Sequence, residues 1–168
     1  MTEMMKQKWS RRFMVAAVIH GAGVAVWSGL FLLDGIGISL NLSKIVAGGG
    51  AGTWFTVGYL LYMITGFLGM TAQGALYQYA ASLNDGELHS DRLALVHFGL
   101  MNVAVVGATW MLGYAGFIGG SLTLADRVSE VHAAIVGYVN PVGICLLMGV
   151  VAALIGAYNT LMTLGKGE

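Results

Sequence analysis

The chain has 168 residues, 57% hydrophobic and only 10% charged, with 26 glycines, zero formal net charge and a mean hydropathy of +0.77. Soluble domains carry close to a quarter charged residues, so this composition excludes a water-solvated fold. Eight basic against eight acidic residues leave no surplus to bind nucleic acid, and no nucleic-acid partner is expected.

Residues 1 to 12 read as a polar tail that ends in an interfacial belt of Trp9, Arg11 and Arg12. Four apolar stretches without Asp, Glu, Lys or Arg follow, from Phe13 to Leu33, Trp54 to Leu83, Leu93 to Ile118 and Val131 to Leu164. A hydrocarbon core about 30 Å thick needs about 20 residues at 1.5 Å rise, so each stretch is long enough to cross. Residues 13 to 168 are therefore expected to form a single domain of four transmembrane helices, an all-α membrane protein. The first stretch outruns a signal-peptide core and meets no small-residue cleavage site, so it is expected to be retained. Lys6, Lys8, Arg11 and Arg12 precede it, whereas the next loop has only Lys44. The positive-inside rule then places the N-terminus in the cytoplasm, and an even number of spans returns the C-terminus there.

Asp34 to Thr53 is the first outer connection. Its Gly48, Gly49, Gly50 and Gly52 resemble a phosphate-cradling loop only in composition, because no Lys-Ser/Thr follows. Asn84, Asp85 and Gly86 mark a tight cytoplasmic turn, and Gly119 to Glu130 the second outer connection. Small residues at four-residue spacing predict helix contact faces at Ala17 and Gly21, at Gly116 and Gly120, and at Gly149, Ala153 and Ala157. Pro141 falls inside the last span and removes the hydrogen bond to the Gly137 carbonyl, a packing kink beside Asn140. Cys145 is the single cysteine, so no intramolecular disulfide can form.

Chemistry has few places to reside. No span holds a carboxylate, Lys or Arg, which argues against a proton relay or ion-coupled transporter, and no nucleophile pattern supports hydrolysis. No catalytic residue and no metal site is assigned. His20 and His97 remain. Counted from the cytoplasmic starts of their spans, their depths differ by about 4 to 5 Å, which would allow a haem b between two helices with both imidazoles as axial ligands. The plainer reading is that each imidazole bonds a neighbouring backbone or interfacial group. His89 in the cytoplasmic turn and His132 at the outer mouth of the last span share no depth with that pair. The second span carries Thr56, Tyr59, Tyr62, Thr65, Thr71, Gln73, Tyr77, Gln78 and Tyr79. Of these, the mid-depth Thr65, Thr71 and Gln73 predict enclosure by further protein, because polar groups in hydrocarbon must be paired.

Val57-Gly58-Tyr59-Leu60-Leu61, then Thr71-Ala72-Gln73-Gly74-Ala75-Leu76-Tyr77, then the turn to Asp91-Arg92-Leu93 resemble the tenth helix and following turn of haem-copper oxidase subunit I. The likeness is to the type that lacks the mitochondrial proton channels. Trp110 to Gly120 is similar to the end of the eleventh helix, Asn140 onward to the twelfth, and Phe13 to Asp34 would be the ninth. The resemblance spans nearly the whole chain and only the last third of that subunit. Where the family places two haem-ligating histidines, this sequence has Tyr59 and Leu61, and leucine cannot ligate iron. The resemblance thus implies the packing surface of an oxidase fragment without its metal sites.

The expected function is a non-catalytic structural subunit of a membrane-bound respiratory complex of the terminal-oxidase type, binding no cofactor itself, in a prokaryotic cytoplasmic membrane. Its partners would be other membrane subunits and lipids, with quinone at its edge. Two alternatives stand: a small b-type cytochrome that uses His20 and His97 to exchange electrons with quinone, and a structural subunit of another membrane metalloenzyme such as a copper monooxygenase.

Overall fold

The computed structural model describes residues 8–38 and 40–165. These form helices α1 (Lys8–Gly35), α2 (Leu42–Ala47), α3 (Gly52–Ser82), α4 (Asp91–Leu124) and α5 (Val128–Leu164), with no strand among the described residues. All but the short α2 are long and apolar enough to cross a membrane. α3 and α4 form the central pair, α1 packs chiefly on α3 and α5 chiefly on α4.

The helices run further than the apolar stretches. α1 already begins at Lys8, so residues 8–12, expected in the tail, are part of the first helix; residues 1–7 lie outside the described residues. Likewise α4 continues to Leu124 and α5 starts at Val128, which reduces the expected connection Gly119 to Glu130 to residues 125–127. Hydropathy stops at the first charge, whereas a helix stops where its end groups find other partners. Ser90 is such a stop: its Oγ accepts the Leu93 N–H at 3.3 Å and caps α4. The first connection is also more ordered than a loop, because α2 lies within it.

Trp9 is a second departure from the expected belt. It is 5% exposed, and its Nε1 donates to Asp91 Oδ1 at 2.7 Å while the Arg12 guanidinium covers its ring at 4.5 Å. Lys8 pairs with the same carboxylate. These bonds hold the starts of α1 and α4 level with each other, so the two helices run parallel and in register.

α3 is not a uniform α-helix. Its middle, Tyr62–Gly69, is π-helical, between α-helical segments Gly52–Leu61 and Met70–Ser82. The sequence explains why a wider turn is useful here. Gly58, Tyr62, Gly66, Met70 and Gly74 recur every four residues, and all five are buried. On a helix of 3.6 residues per turn each four-residue step drifts by about 40°, so an unbroken α-helix would rotate part of this row out of the core. The wider π turn absorbs the drift and keeps the row inward.

Glycines set the α3–α4 spacing. A Cβ on Gly58 would lie 2.7 Å from the Thr109 carbonyl oxygen, and one on Gly116 would lie 2.1 Å from the Phe55 nitrogen. The expected face at Gly116 and Gly120 is therefore a contact face, as is that of Ala17 and Gly21, where Gly21 meets the Phe67 ring. The third expected face is corrected. Gly149 meets Ala104, but Ala153 and Ala157 are exposed; Ala152, Gly156, Asn159 and Thr163 are the buried positions. Repeated steps of four leave a straight interface, and the observed mixture of threes and fours stays on it.

Candidate functional site

His20 and His97 are both buried, at 4% and 2% exposure. α1 carries His20 into a cluster with Tyr62 of α3 and Asn102 of α4. Its Nδ1 lies 3.1 Å from the Tyr62 hydroxyl, and its Nε2 lies 3.1 Å from Asn102 Oδ1. The proton positions follow from one neighbour. Asn102 Nδ2 donates to the Phe98 carbonyl at 2.7 Å, and a carbonyl can only accept, so the amide oxygen must be the atom that faces His20. His20 Nε2–H then donates to Asn102 Oδ1, and Nδ1 accepts from the Tyr62 hydroxyl. Gly66 makes room for the ring: a Cβ there would lie 3.3 Å from His20 Cβ and Cγ.

His97 sits in a separate cluster. Its Nδ1 lies 2.9 Å from the Tyr77 hydroxyl, and its ring packs 4.9 Å from that of Phe13 and 5.8 Å from that of Tyr77. Gly156 of α5 closes the remaining side, since a Cβ at that position would lie 2.3 Å from His97 Cε1 and 2.5 Å from Nδ1.

The structure does not bring these histidines together. With α1 and α4 level at Lys8 and Asp91, His20 lies further along its helix than His97, by about 9 Å at 1.5 Å rise per residue. The smaller expected offset rested on span starts at Phe13 and Leu93, both of which fall inside the helices. A haem held between the two would have to displace Tyr62 or Asn102 from His20 and Tyr77 from His97. The geometry is that of two separate side-chain clamps, and it does not fit a shared axial-ligand pair.

No family model, characterised protein or solved structure matches this chain. The resemblance drawn from the second and third spans therefore rests on its residues alone. At its key positions, the Tyr59 hydroxyl pairs with Ser28 Oγ at 2.8 Å and its ring meets those of Trp27 and Phe31 edge-on, while Leu61 is half-buried. Aromatic side chains fill the helix interface at that level.

The other singled-out groups are dispersed. His132 is exposed on α5. His89 is half-buried in the turn before α4, where its backbone N–H donates to Thr163 Oγ1 at 2.8 Å. Beside it Asn159 accepts the Ser90 N–H at 2.9 Å and donates to the Ser90 carbonyl at 3.1 Å, which ties the turn to the end of α5. Cys145 Sγ packs over Gly107. Thr65 and Thr71 bond back to the Leu61 and Phe67 carbonyls at 2.6 and 2.7 Å, and Gln73 reaches Thr160 Oγ1 at 3.4 Å. The two threonine hydroxyls are satisfied within the chain and do not call for the outside enclosure expected of them, whereas Gln73 has that one long contact.

Sequence reasoning passed over Tyr62, Tyr77, Asn102 and Gly156 as partners of the histidines. The row of glycines alternating with Tyr62 and Met70 on α3 was a usable signal for the first of them. Asn102, an amide in the third span, was another.

Proposed function

We propose that this chain is a non-catalytic subunit of a membrane-bound respiratory complex of the terminal-oxidase type, in a prokaryotic cytoplasmic membrane with both termini inside. Asn140 carries the assembly part of this reading. It is exposed on α5, well inside an apolar stretch, and its amide has no hydrogen-bond partner among the described residues. The neighbouring Pro141 is exposed too and leaves the Gly137 carbonyl without its helical bond. An unpaired amide in hydrocarbon costs about 2–7 kcal/mol, so a neighbouring subunit that bonds it removes a penalty the isolated bundle bears. Gly137 lets that neighbour approach closely.

Three further observations support the rest. The buried imidazoles are committed to Tyr62, Asn102 and Tyr77, which favours a packing role over catalysis. The residues similar to oxidase subunit I suggest the class of parent complex. The Lys and Arg excess before Phe13 suggests the orientation. Native mass spectrometry of a gentle detergent extract tests the reading: the chain is expected with other membrane subunits, and Asn140→Leu is expected to lower the assembled fraction. A stable monodisperse monomer would overturn it.

A further inference from the structure

At the end of the bundle that carries the 36–51 connection, a cavity of about 370 Å³ opens between α1 and α4. Val26, Trp27 and Leu30 of α1 form one wall, and Trp110, Tyr114 and Phe117 of α4 the other. Leu40 and Leu42 form its roof, and that roof is held in place. Asp34, at the end of α1, accepts the Leu40 N–H through Oδ1 and the Ser43 N–H through Oδ2, both at 2.9 Å. Asn41, in the N-cap position of α2, adopts a left-handed conformation and makes no side-chain cap, so Asp34 supplies that bond from outside the helix.

We propose that this cavity seats one hydrocarbon chain of an anionic membrane phospholipid whose headgroup rests at the α2 end of the bundle. Its walls select the ligand class. They are hydrocarbon and aromatic, and even the indole nitrogen of Trp27 is buried rather than open to the cavity, so a polar ring or sugar would lose its hydration with nothing in return. The volume lies within the range of small-ligand sites and far above that of a packing void. The location selects the ligand's other end. The roof residues lie in the connection beyond the apolar spans, the depth at which phospholipid headgroups stand. Lys44, exposed and two residues beyond Leu42, places a cation there for the phosphate. Gly113 completes the floor: a Cβ there would lie 2.6 Å from Trp27 Cη2, so glycine lets the indole lie against α4. This inference rests on the membrane reading and is independent of any partner subunit.

The test uses the full chain with Trp27 as its single tryptophan, in phosphatidylcholine vesicles; the other three are replaced by Phe, which keeps the Trp110 wall aromatic and leaves Lys8 paired with Asp91. Co-flotation with the vesicles comes first, and a chain that stays in the aqueous phase would overturn the membrane reading along with the site. A minor share of phosphatidylglycerol brominated on its acyl chain is then added. Trp27 is only 4% exposed, so quenching reports a lipid chain inside the cavity more than the surrounding bilayer. Strong, saturable quenching is expected, and Val26→Phe and Leu30→Phe, which fill the space, should each remove most of it. The helical circular dichroism and thermal midpoint of the Trp27 protein should be unchanged by either filling substitution, which shows that the fold is intact. Lys44→Gln should raise the share of phosphatidylglycerol needed. An unquenched Trp27, or quenching that survives both filling substitutions, would overturn the site; an unchanged requirement in Lys44→Gln would overturn the role given to Lys44.

Discussion

Gly156 of α5 and His97 of α4 are packed so closely that the smallest side chain cannot be added at position 156: its Cβ would fall 2.3 to 2.8 Å from three atoms of the imidazole ring. The bond from His97 to Tyr77 is thus closed in by a third helix, α5.

Gly156→Ala is therefore expected to push α5 away or turn the ring from Tyr77, at a cost of about 1–3 kcal/mol from overpacking. Gly143→Ala on the same helix meets open space and should be near neutral. Thermal unfolding of the two variants in detergent measures the difference. Equal midpoints would show that the ring yields without cost.

The His20 cluster makes an asymmetric prediction. Asn102→Leu leaves the buried Nε2–H of His20 without an acceptor and should cost about 1–3 kcal/mol. Adding His20→Leu removes the orphaned donor, so the double variant should lose less than the sum of the two single variants. A double-mutant cycle by chemical or thermal unfolding checks this, and strict additivity would count against the bond.

Replacing either histidine also separates a structural subunit from a cytochrome. His20→Gln and His97→Gln are expected to leave the reduced-minus-oxidised optical spectrum and the electron-transfer rate of the isolated assembly unchanged. Collapse of a low-spin haem band in either variant, with the assembly intact, would establish axial ligation instead.

Asp34→Ala should free the amides of Leu40 and Ser43, both of which its carboxylate now accepts. Hydrogen exchange at these two amides is expected to accelerate, while exchange within α4 stays slow. Unchanged protection would mean that α2 holds its place without the external cap.

Orientation is open to a direct check. A reporter active only outside the cytoplasm, fused at Glu168, should stay silent if both ends face inward. A strong signal there would reverse the assignment.

Hydrophobic runs alone determined that there would be four helices long and apolar enough to cross a membrane, because twenty apolar residues have no other low-energy place in a bilayer than a helix that bonds its own backbone. The contact face at Gly116 and Gly120 was legible for a similar reason: small residues at helical spacing exist to let backbones approach. The helix ends were not, since Lys8 and Asp91 join their helices through an ion pair and the Ser90 cap, and Val128 lies between the paired Arg127 and Glu130, none of which hydropathy registers. Nor were the partners of the histidines. His20 meets Tyr62 and Asn102, and His97 meets Tyr77 and Gly156, only after the Lys8–Asp91 contact sets the register of α1 on α4 and the π segment sets the phase of α3. Which buried groups touch depends on the rotation and sliding of whole helices, and those are fixed by packing between segments far apart in the chain.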